Sequence, residues 1–450
     1  MKFYKLVILT ILFKYLNSSK IIYEFKRDFK LNESLPEDEI FLKLSYSDIY
    51  TNIKIGTALQ ELKVGISFKM KSLILLGSNI KKTKDRKTFD ETQSSSYHSI
   101  ESANCYQSQM SDANISEEYI NLNTINKNEK IKFILVNKLE NESLSKNDYE
   151  PIYFSGCIGL AINSQFQFDN PDSLPIYLSE NYKSIYNSAF SVKFNIKEPG
   201  NYNGKLIMNG YPHEFDEKNY NIKQYKTTKI QSVDNFNDWC FTVDNTYYGE
   251  NIAFHNNYII FRIEIGIILA PLKFMEQISK KYFEQYKDSH LCEEKNLELM
   301  FDNYNYYVCN KDINITNFEN INFELKDNNF NFTLDYKDLF YEYNNKYYFL
   351  IAGSKGYLHD FIIGSVLMKK YEFVFDKFNS NIGFYDFSII VEEKNYFIIY
   401  IVVISVLVLL IILVIIYLIW KFFNKPRNSR KNELNDDYNY ISAINPDEKD

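Results

Sequence analysis

Residues 361–376 read FIIGSVLMKKYEFVFD, and Ile382-Gly383-Phe384 follow after a short gap. The second half of this stretch is rich in aromatic and β-branched residues, which favours a strand. Similar short apolar runs, separated by Asn, Asp, Ser and Gly clusters, recur at residues 53–55, 62–66 and 190–194. Helical periodicity is clearest at residues 272–286, where one face carries Leu272, Met275, Ile278 and Tyr282. Many strands at short spacing predict a mainly β domain with two lobes.

Several blocks of the chain resemble the pepsin-like aspartic protease family. Residues 361–376 are similar to the family's segment Trp-Ile-Leu-Gly-Asp-Val-Phe-Leu-Arg-Lys-Tyr-Tyr-Thr-Val-Phe-Asp, and residues 382–384 close it in register. Further blocks in the family's order and spacing are YTNIKIGTALQ (50–60), SSY (95–97), SGCIGLA (155–161), FSVKF (190–194) and GKLIMNG (204–210). The resemblance implies a bilobal pepsin-like acid protease fold, with an N-terminal lobe at residues 45–195 and a C-terminal lobe at residues 196–389.

The resemblance also implies where catalytic residues would lie. An aspartic protease uses two facing carboxyl groups that share one proton and hold a water between them. The family supplies each from an Asp-Thr-Gly or Asp-Ser-Gly loop, and this chain contains neither tripeptide. Ten residues after Thr57, at the position of the first family Asp, the chain has Ser67. Counting back from Pro271 places Arg262 at the second.

These two replacements predict a catalytically inactive protein. A Ser hydroxyl is neutral and an Arg guanidinium stays protonated, so neither can serve as general base to a water. Arg262 is expected at the floor of the cleft. The nearest acid, Glu264, falls on a family Gly position and, treated as a strand neighbour, is expected to point elsewhere.

The flap and the cleft wall are implied at Tyr106 and Ile74. The glycines that the family carries after the flap Tyr are Gln107 and Gln109 here. Because Gly permits tight hairpin geometry, their loss predicts a different or stiffer flap. Tyr106 is equally compatible with an ordinary surface Tyr.

A long apolar stretch near the end of the chain predicts a membrane anchor. Residues 396–420 contain no charge. As a helix they would span about 37 Å, enough for a hydrocarbon core of about 30 Å. Glu392 and Glu393 precede the stretch, and basic residues follow it at Lys421, Lys425, Arg427, Arg430 and Lys431. Positive-inside logic predicts a single-pass type I protein of the secretory pathway or cell surface, with residues 421–450 in the cytosol.

The first residues predict entry into that pathway. Lys2 and Lys5 precede a short apolar run that ends near Phe13, so residues 1–19 are interpreted as a signal peptide, with a buried N-terminal strand as the alternative. Residues 20–44 are interpreted as a short pro-like or N-terminal extension. The sequons permissive for glycosylation are Asn32, Asn114, Asn141, Asn314 and Asn331.

Cysteine usage and charge restrict the ligands. Of five Cys, Cys292 and Cys309 are close in sequence and are expected to form a disulfide. The pairing of the others, Cys105, Cys157 and Cys240, is left open. Since no spacing suggests zinc, we expect no metal and no cofactor. The net charge is -7 without a dominant basic block, so nothing points to nucleic acid.

Three functions remain open from the sequence. The first is a membrane-anchored pseudoprotease that binds a peptide or protein ligand in its cleft or on its surface. The second is an active aspartic-type endopeptidase with atypical catalytic residues. The third is an adhesin or receptor in which the fold is a scaffold. The abundance of Asn, Lys, Tyr and Phe is typical of AT-rich genomes such as those of apicomplexan parasites, so the resemblance extends to plasmepsin-like proteins.

Overall fold

The structure is a computed structural model of the chain. It describes residues 20–27, 35–80, 86–103, 110–122, 127–139, 154–162, 171–182, 186–195, 202–231, 238–299, 302–356, 359–389 and 396–423. The predicted signal peptide, Cys105, Tyr106, the sequons at Asn32 and Asn141, and the predicted tail beyond residue 423 lie outside these ranges. The chain divides into two compact units at Ile389/Ile390.

The larger of two sheets has thirteen strands among the described residues, in the order β11-β24-β23-β9-β10-β1-β2-β3-β8-β4-β7-β6-β5. Its strands are β1 Ile21–Arg27, β2 Ile49–Ile55, β3 Gln60–Ser67, β4 Leu73–Leu76, β5 His98–Ser102, β6 Met110–Leu122, β7 Lys127–Leu139, β8 Gly156–Gly159, β9 Phe190–Phe194, β10 Gly204–Met208, β11 Tyr225–Lys229, β23 Phe373–Asp376 and β24 Asn381–Tyr385. This sheet therefore takes strands from both sides of the predicted lobe border at residue 195.

The second sheet runs in the order β18-β17-β12-β13-β22-β14-β21-β16-β20-β19, with β15 paired to β16. Its strands are β12 Cys240–Tyr248, β13 Asn251–Phe261, β14 Ile268–Pro271, β15 Cys292–Leu299, β16 Asp302–Asn310, β17 Ile321–Leu325, β18 Phe330–Leu334, β19 Phe340–Tyr343, β20 Lys346–Phe349, β21 Ile351–Ser354 and β22 Phe361–Ile363. The mainly β architecture is confirmed, and two curled sheets are consistent with a bilobal fold.

Helices are short outside the C-terminal segment. They are α1 Glu37–Ser45, α2 Leu174–Asn181, α3 Pro212–Phe215, α4 Leu272–Ile278, α5 Tyr336–Leu339, α6 Ser365–Lys370 and α7 Tyr396–Phe423. The helix predicted at residues 272–286 is confirmed as α4 followed by a π turn at Ser279–Phe283 and a 3-10 turn at Glu284–Tyr286. Its predicted inner face is buried at Met275, Ile278 and Tyr282.

The predicted disulfide is present. Cys292 and Cys309 lie opposite each other in β15 and β16 and are joined through their sulfur atoms. Cys240 is a buried free thiol that donates to the carbonyl of Gln231 at 2.9 Å. Burial, with the neighbouring Asp238 carboxylate, raises the pKa of the Cys240 thiol to about 12. This thiol is therefore protonated at neutral pH.

The C-terminal unit is described as the helix α7, which includes the whole stretch predicted to cross a membrane. Its side chains are described for residues 405–421 and 423. Within the described part of the chain, no helix has the length and the apolar character that a membrane crossing requires. The predicted anchor is not confirmed and stays a prediction.

Residues 20–27 and 35–44, which belong to the predicted N-terminal extension, are built into the fold. Strand β1 pairs with β10 from Ile21 to Phe25 and with β2 at Lys26 and Arg27, so it lies inside the larger sheet. Tyr23 has no exposed surface. The guanidinium of Arg27 then donates to the carbonyl oxygens of Lys43 and Tyr46 at the end of α1. These contacts hold α1 against the strand that precedes it in the chain.

The other end of α1 is held by ion pairs to the second sheet. The Glu37 carboxylate accepts from Lys295 at 2.7 Å and from Lys346. Phe41 stacks on Tyr306 at 3.7 Å between ring centroids. Burial alone would raise the pKa of Glu37, but the bonds from the two Lys side chains outweigh it and hold this pKa below its ordinary value.

We expect Glu37→Gln to lower the free energy of unfolding at pH 7 by up to about 1 kcal/mol, because the pair is partly exposed and screened by water. The folded pKa is below the unfolded one. The stabilisation is therefore fully present above the unfolded pKa and is lost as the pH falls through the folded pKa. Urea unfolding of both proteins should converge at low pH. Glu39→Gln, on the exposed side of the same helix, is the control and should change nothing at either pH.

Candidate functional site

The same strand arrangement occurs once in each sheet. In the first, β3 ends at Ser67 and lies parallel to β8, while β4 runs antiparallel to β8 and parallel to β7. In the second, β13 lies parallel to β22, while β14 runs antiparallel to β22 and parallel to β21. Strand β4 begins at Leu73, six positions after Ser67, and β14 begins at Ile268, six positions after Arg262. Ser67 and Arg262 therefore occupy corresponding positions of the two repeats.

A hydrogen-bonded cluster joins these two loops. The Ser67 hydroxyl donates to Oε1 of Glu264, and the backbone N–H of Lys69 donates to the same oxygen at 2.8 Å. The Ser67 oxygen also accepts from the N–H groups of Lys69 and Met70, both at 3.1 Å. Ser67 has no exposed surface, and 5% of Glu264 is exposed. We call Ser67, Lys69 and Glu264 the bridging cluster.

The expectation that Glu264 points away from the first loop is wrong. That expectation treated Glu264 as a strand residue that continues β13. In the structure β13 stops at Phe261, and Ile263 and Glu264 form a turn closed by a bond from the Ile265 N–H to the Arg262 carbonyl at 3.1 Å. From this turn the Glu264 carboxylate reaches the Ser67 hydroxyl.

The residues that follow α1 hold the Glu264 turn in place. Ser47 donates its N–H to the Glu264 carbonyl at 2.8 Å and its hydroxyl to the Ile263 carbonyl at 2.5 Å. The Gly266 N–H donates to the Ser45 carbonyl at 2.8 Å. A side chain at Gly266 would meet the Leu44 carbonyl oxygen at 2.0 Å, so this close approach of two backbones requires glycine. The N-terminal segment thus positions one half of the bridging cluster.

The cation at Arg262 is neutralised inside the protein. One guanidinium nitrogen lies 2.7 Å from the Asp238 carboxylate, and another donates to the Phe261 carbonyl at 3.2 Å. The exposed fractions of the Arg262 and Asp238 side chains are 12% and 10%. Since this pair is largely buried, its partners need each other to remain charged. The sequence predicts Arg262 at the floor of the cleft but does not indicate Asp238 as the carboxylate that neutralises it.

An aromatic cluster packs directly behind the site. The Phe68 ring lies edge-on to Phe375 at 4.9 Å, and Trp239 lies edge-on to Phe190 at 5.5 Å. The Trp239 indole N–H donates to the carbonyl of Leu160 at 2.6 Å. Leu160 in turn donates its N–H to the Ser67 carbonyl at 2.8 Å. Ser67 is therefore held from its backbone as well as from its side chain.

The other predicted site residues lie elsewhere or outside the described ranges. Ile74, predicted at the cleft wall, is buried in a small cluster with Met70, Ile134 and Cys157 and contributes packing. Of the sequons, Asn314 and Asn331 are exposed, and Asn114 is half-buried in β6. Among the residues that the structure describes, no group of three or more His, Cys, Asp or Glu side chains could hold a metal ion.

The chemistry of the bridging cluster follows from its donors and acceptors. One carboxylate faces one hydroxyl, and two backbone N–H groups converge on the same pair of oxygens. A hydroxyl cannot take turns with a carboxyl group as acid and base near neutral pH, because its pKa is far higher. The arrangement can tie two loops together. It lacks the exchangeable proton that two carboxyl groups share.

Comparison with family models identifies the family of this chain. Residues 48–386 match the family model described as eukaryotic aspartyl protease. The matched range includes both repeats, the bridging cluster, Arg262 and Asp238. A search of curated proteins found no match to the chain.

Proposed function

Because the chain belongs to the eukaryotic aspartyl protease family, we propose that it is a family member without protease activity, held in a membrane by its C-terminal helix, which uses the retained fold to bind a polypeptide. The observation that carries this proposal is the hydrogen bond from the Ser67 hydroxyl to the Glu264 carboxylate. The first family Asp position holds the Ser67 hydroxyl, and the carboxylate that it meets comes from Glu264, two residues beyond Arg262.

The loss of protease activity follows from the groups that can donate or accept a proton at this site. Hydrolysis by this family requires one ionised and one protonated carboxyl group around a single water. Ser67 supplies no acidic proton near pH 5, and Oε1 of Glu264 is already engaged by two donors. The guanidinium of Arg262 is tied to Asp238. General-base activation of a water at this centre therefore lacks the second acid that it needs.

Membrane anchoring is supported by the character of α7. Each side chain from Val406 to Trp420 is at least half exposed, and each is apolar or aromatic. A helix that is apolar on every side needs an apolar surrounding, and a bilayer supplies one. The basic residues from Lys421 onward favour a cytosolic tail. The ectodomain would then face the lumen or the outside of the cell.

Polypeptide binding is a role that this fold can retain without catalysis. Extended peptides bind to sheet proteins mainly through backbone hydrogen bonds, and such bonds do not depend on a catalytic acid pair. The bridging cluster joins the two loops by hydrogen bonds within the protein, which would hold the floor of a binding cleft in one arrangement. Pre-organised sites lose less entropy on binding.

The test of inactivity uses the full-length chain in lipid nanodiscs and a peptide library at pH 3 to 7, with and without pepstatin. We expect no pepstatin-sensitive cleavage at any pH, because the acid pair is missing. An active pepsin-type enzyme in the same nanodiscs is the positive control. Pepstatin-sensitive turnover that disappears in Glu264→Gln would contradict the proposal.

The binding part is tested separately with photo-crosslinking peptides from the same library. Adducts mapped to residues 65–72 and 261–267 would support a ligand over the bridging cluster. Adducts confined to other surfaces would favour the scaffold function instead. Absence of any specific adduct would contradict polypeptide binding by this protein while leaving its inactivity to the cleavage assay.

One observation favours a second candidate, an atypical hydrolase. A Ser hydroxyl bonded to a carboxylate has the form of a nucleophile with its base. Ser67 has no exposed surface, however, so a substrate carbonyl cannot reach it without rearrangement. Pepstatin-insensitive cleavage that is lost in both Ser67→Ala and Glu264→Gln would identify this activity.

A further inference from the structure

The ectodomain chain leaves its sheet at one well-bonded corner. The Asp386 N–H donates to the Gln224 carbonyl at 2.8 Å, and the Gln224 side chain donates back to the Ile389 carbonyl at 3.0 Å. Residues 222–224 form a 3-10 turn next to the edge strand β11. We call residues 222–224 and 386–389 the exit corner.

An ion pair fixes the exit corner to the edge strand. The Lys226 ammonium lies 2.7 Å from the Asp386 carboxylate, which also accepts from the N–H and the hydroxyl of Ser388. Burial alone would raise the pKa of Asp386, but the bonds from Lys226 and Ser388 outweigh it and hold this pKa below its ordinary value. The corner is therefore fixed at neutral pH.

Two large apolar side chains project from this corner. Ile222 is 65% exposed and Phe387 is 50% exposed. The Phe387 ring rests on the rings of Tyr220 and Tyr385, with centroids 6.0 and 6.1 Å away. This backing presents Phe387 in a defined orientation. Lys223, beside Ile222, is exposed and can reach a phosphate group.

The covalent length of the chain limits how far this corner can be from the apolar helix. Residues 390–395 separate Ile389 from Tyr396, where α7 begins. Fully extended, this connection spans at most about 25 Å, whatever path it takes. If α7 crosses a bilayer, the exit corner must stay within that distance of the helix end. Within that distance, aromatic and branched apolar side chains can reach the interfacial layer of the bilayer, where such side chains are favoured.

We propose that Ile222 and Phe387 insert into the interfacial layer of the bilayer and hold the exit corner against the membrane. This inference rests on the anchoring part of the proposed function and adds an orientation to it. The occupant is lipid, because the covalent tether keeps the exit corner within reach of the membrane. Ile222 and Phe387 match the apolar acyl chains, and the neighbouring Lys223 matches the lipid phosphate groups above them. The bridging cluster plays no part in it.

The experiment uses the full-length chain in phosphatidylcholine nanodiscs that contain lipids brominated near the headgroup. The natural chain has two Trp residues, the buried Trp239 and the exposed Trp420 in α7. Quenching of Trp420 emission shows that α7 contacts lipid. In a Trp420→Phe background, quenching of the Trp introduced by Phe387→Trp shows that the exit corner contacts lipid. We expect brominated lipids to lower the added Trp emission at least about twofold, as for an interfacial aromatic.

The matched control is Phe378→Trp in the same background. Phe378 is 84% exposed in the turn between β23 and β24, at the opposite end of β24 from Phe387. Its added emission should be unchanged by brominated lipids. In Phe387→Trp, the further change Ile222→Asn should weaken quenching, since it removes the second inserted side chain.

The outcomes separate the two proposals. Quenching of Trp420 without quenching of Phe387→Trp would overturn the docked corner and leave the anchor intact. Equal quenching of Phe387→Trp and Phe378→Trp would overturn it too, because contact with lipid would then not be specific to the corner. Absence of Trp420 quenching would overturn the anchor and the docked corner together.

Discussion

Glu264→Ala is expected to lower the free energy of unfolding by about 3 kcal/mol, because it leaves the Ser67 hydroxyl without its acceptor and removes the nearer of the two acceptors of the Lys69 N–H. Both donors lie at a buried centre, where Ser67 has no exposed surface. Leaving a buried polar group unsatisfied costs roughly 1–3 kcal/mol, and the removed side chain adds a cavity. Urea unfolding of the full-length chain in mild detergent, followed by far-ultraviolet circular dichroism, measures the loss.

A graded set of variants tests the hydrogen bonds themselves. Glu264→Gln keeps an oxygen acceptor of nearly the same shape and should cost about 1 kcal/mol. Ser67→Ala removes one donor, and the double variant with Glu264→Ala should cost less than the sum of the two single changes. Glu319→Ala is the matched control. It breaks a largely exposed ion pair with Lys281 and should cost less than about 1 kcal/mol.

A loss for Glu264→Ala no larger than that for Glu319→Ala would contradict a structural role for the bridging cluster. This result matters for function as well as for stability. Catalytic carboxyl groups are commonly held at some cost in stability, so their removal often stabilises an enzyme. A large loss in the free energy of unfolding for Glu264→Ala would therefore show that Glu264 connects two loops and is not a strained catalytic group.

The sequence predicts the elements of this fold better than it predicts its centre. The second half of residues 361–376 is predicted to form a strand, and the structure has β23 there. The helix at residues 272–286 and the disulfide of Cys292 and Cys309 are likewise confirmed. These features depend on residues that are near neighbours in the chain, and periodicity or spacing records them directly.

The parts that the sequence analysis missed all depend on distant pairs. Strand β1 lies inside the larger sheet because Ile21 pairs with Met208, which no local pattern encodes. Asp238 neutralises Arg262 from 24 positions away, and Ser67 meets Glu264 across 197 positions. The local turn after Phe261 decides which of the two charged residues faces Ser67.

Trp239→Ala is expected to lower the free energy of unfolding by about 4 kcal/mol, within the usual range for a buried aromatic residue. The side chain is 1% exposed and packs against Phe190 and Phe375. Trp239→Phe should cost about 2 kcal/mol, because it keeps most of the packing but leaves the buried Leu160 carbonyl without its donor. Circular dichroism in urea measures both, and Phe378→Ala, at an exposed aromatic position, should be close to neutral.

The size of this effect follows from what Trp239 and its neighbour connect. Asp238 binds Arg262, and Trp239 binds Leu160, whose N–H holds the Ser67 carbonyl. Two consecutive residues therefore support both corresponding positions of the repeated strand arrangement. If Trp239 has this role, Trp239→Phe should also weaken the coupling between Ser67→Ala and Glu264→Ala in a double-mutant cycle. Unchanged coupling would show that Trp239 contributes packing alone and that the bridging cluster is held by its own loops.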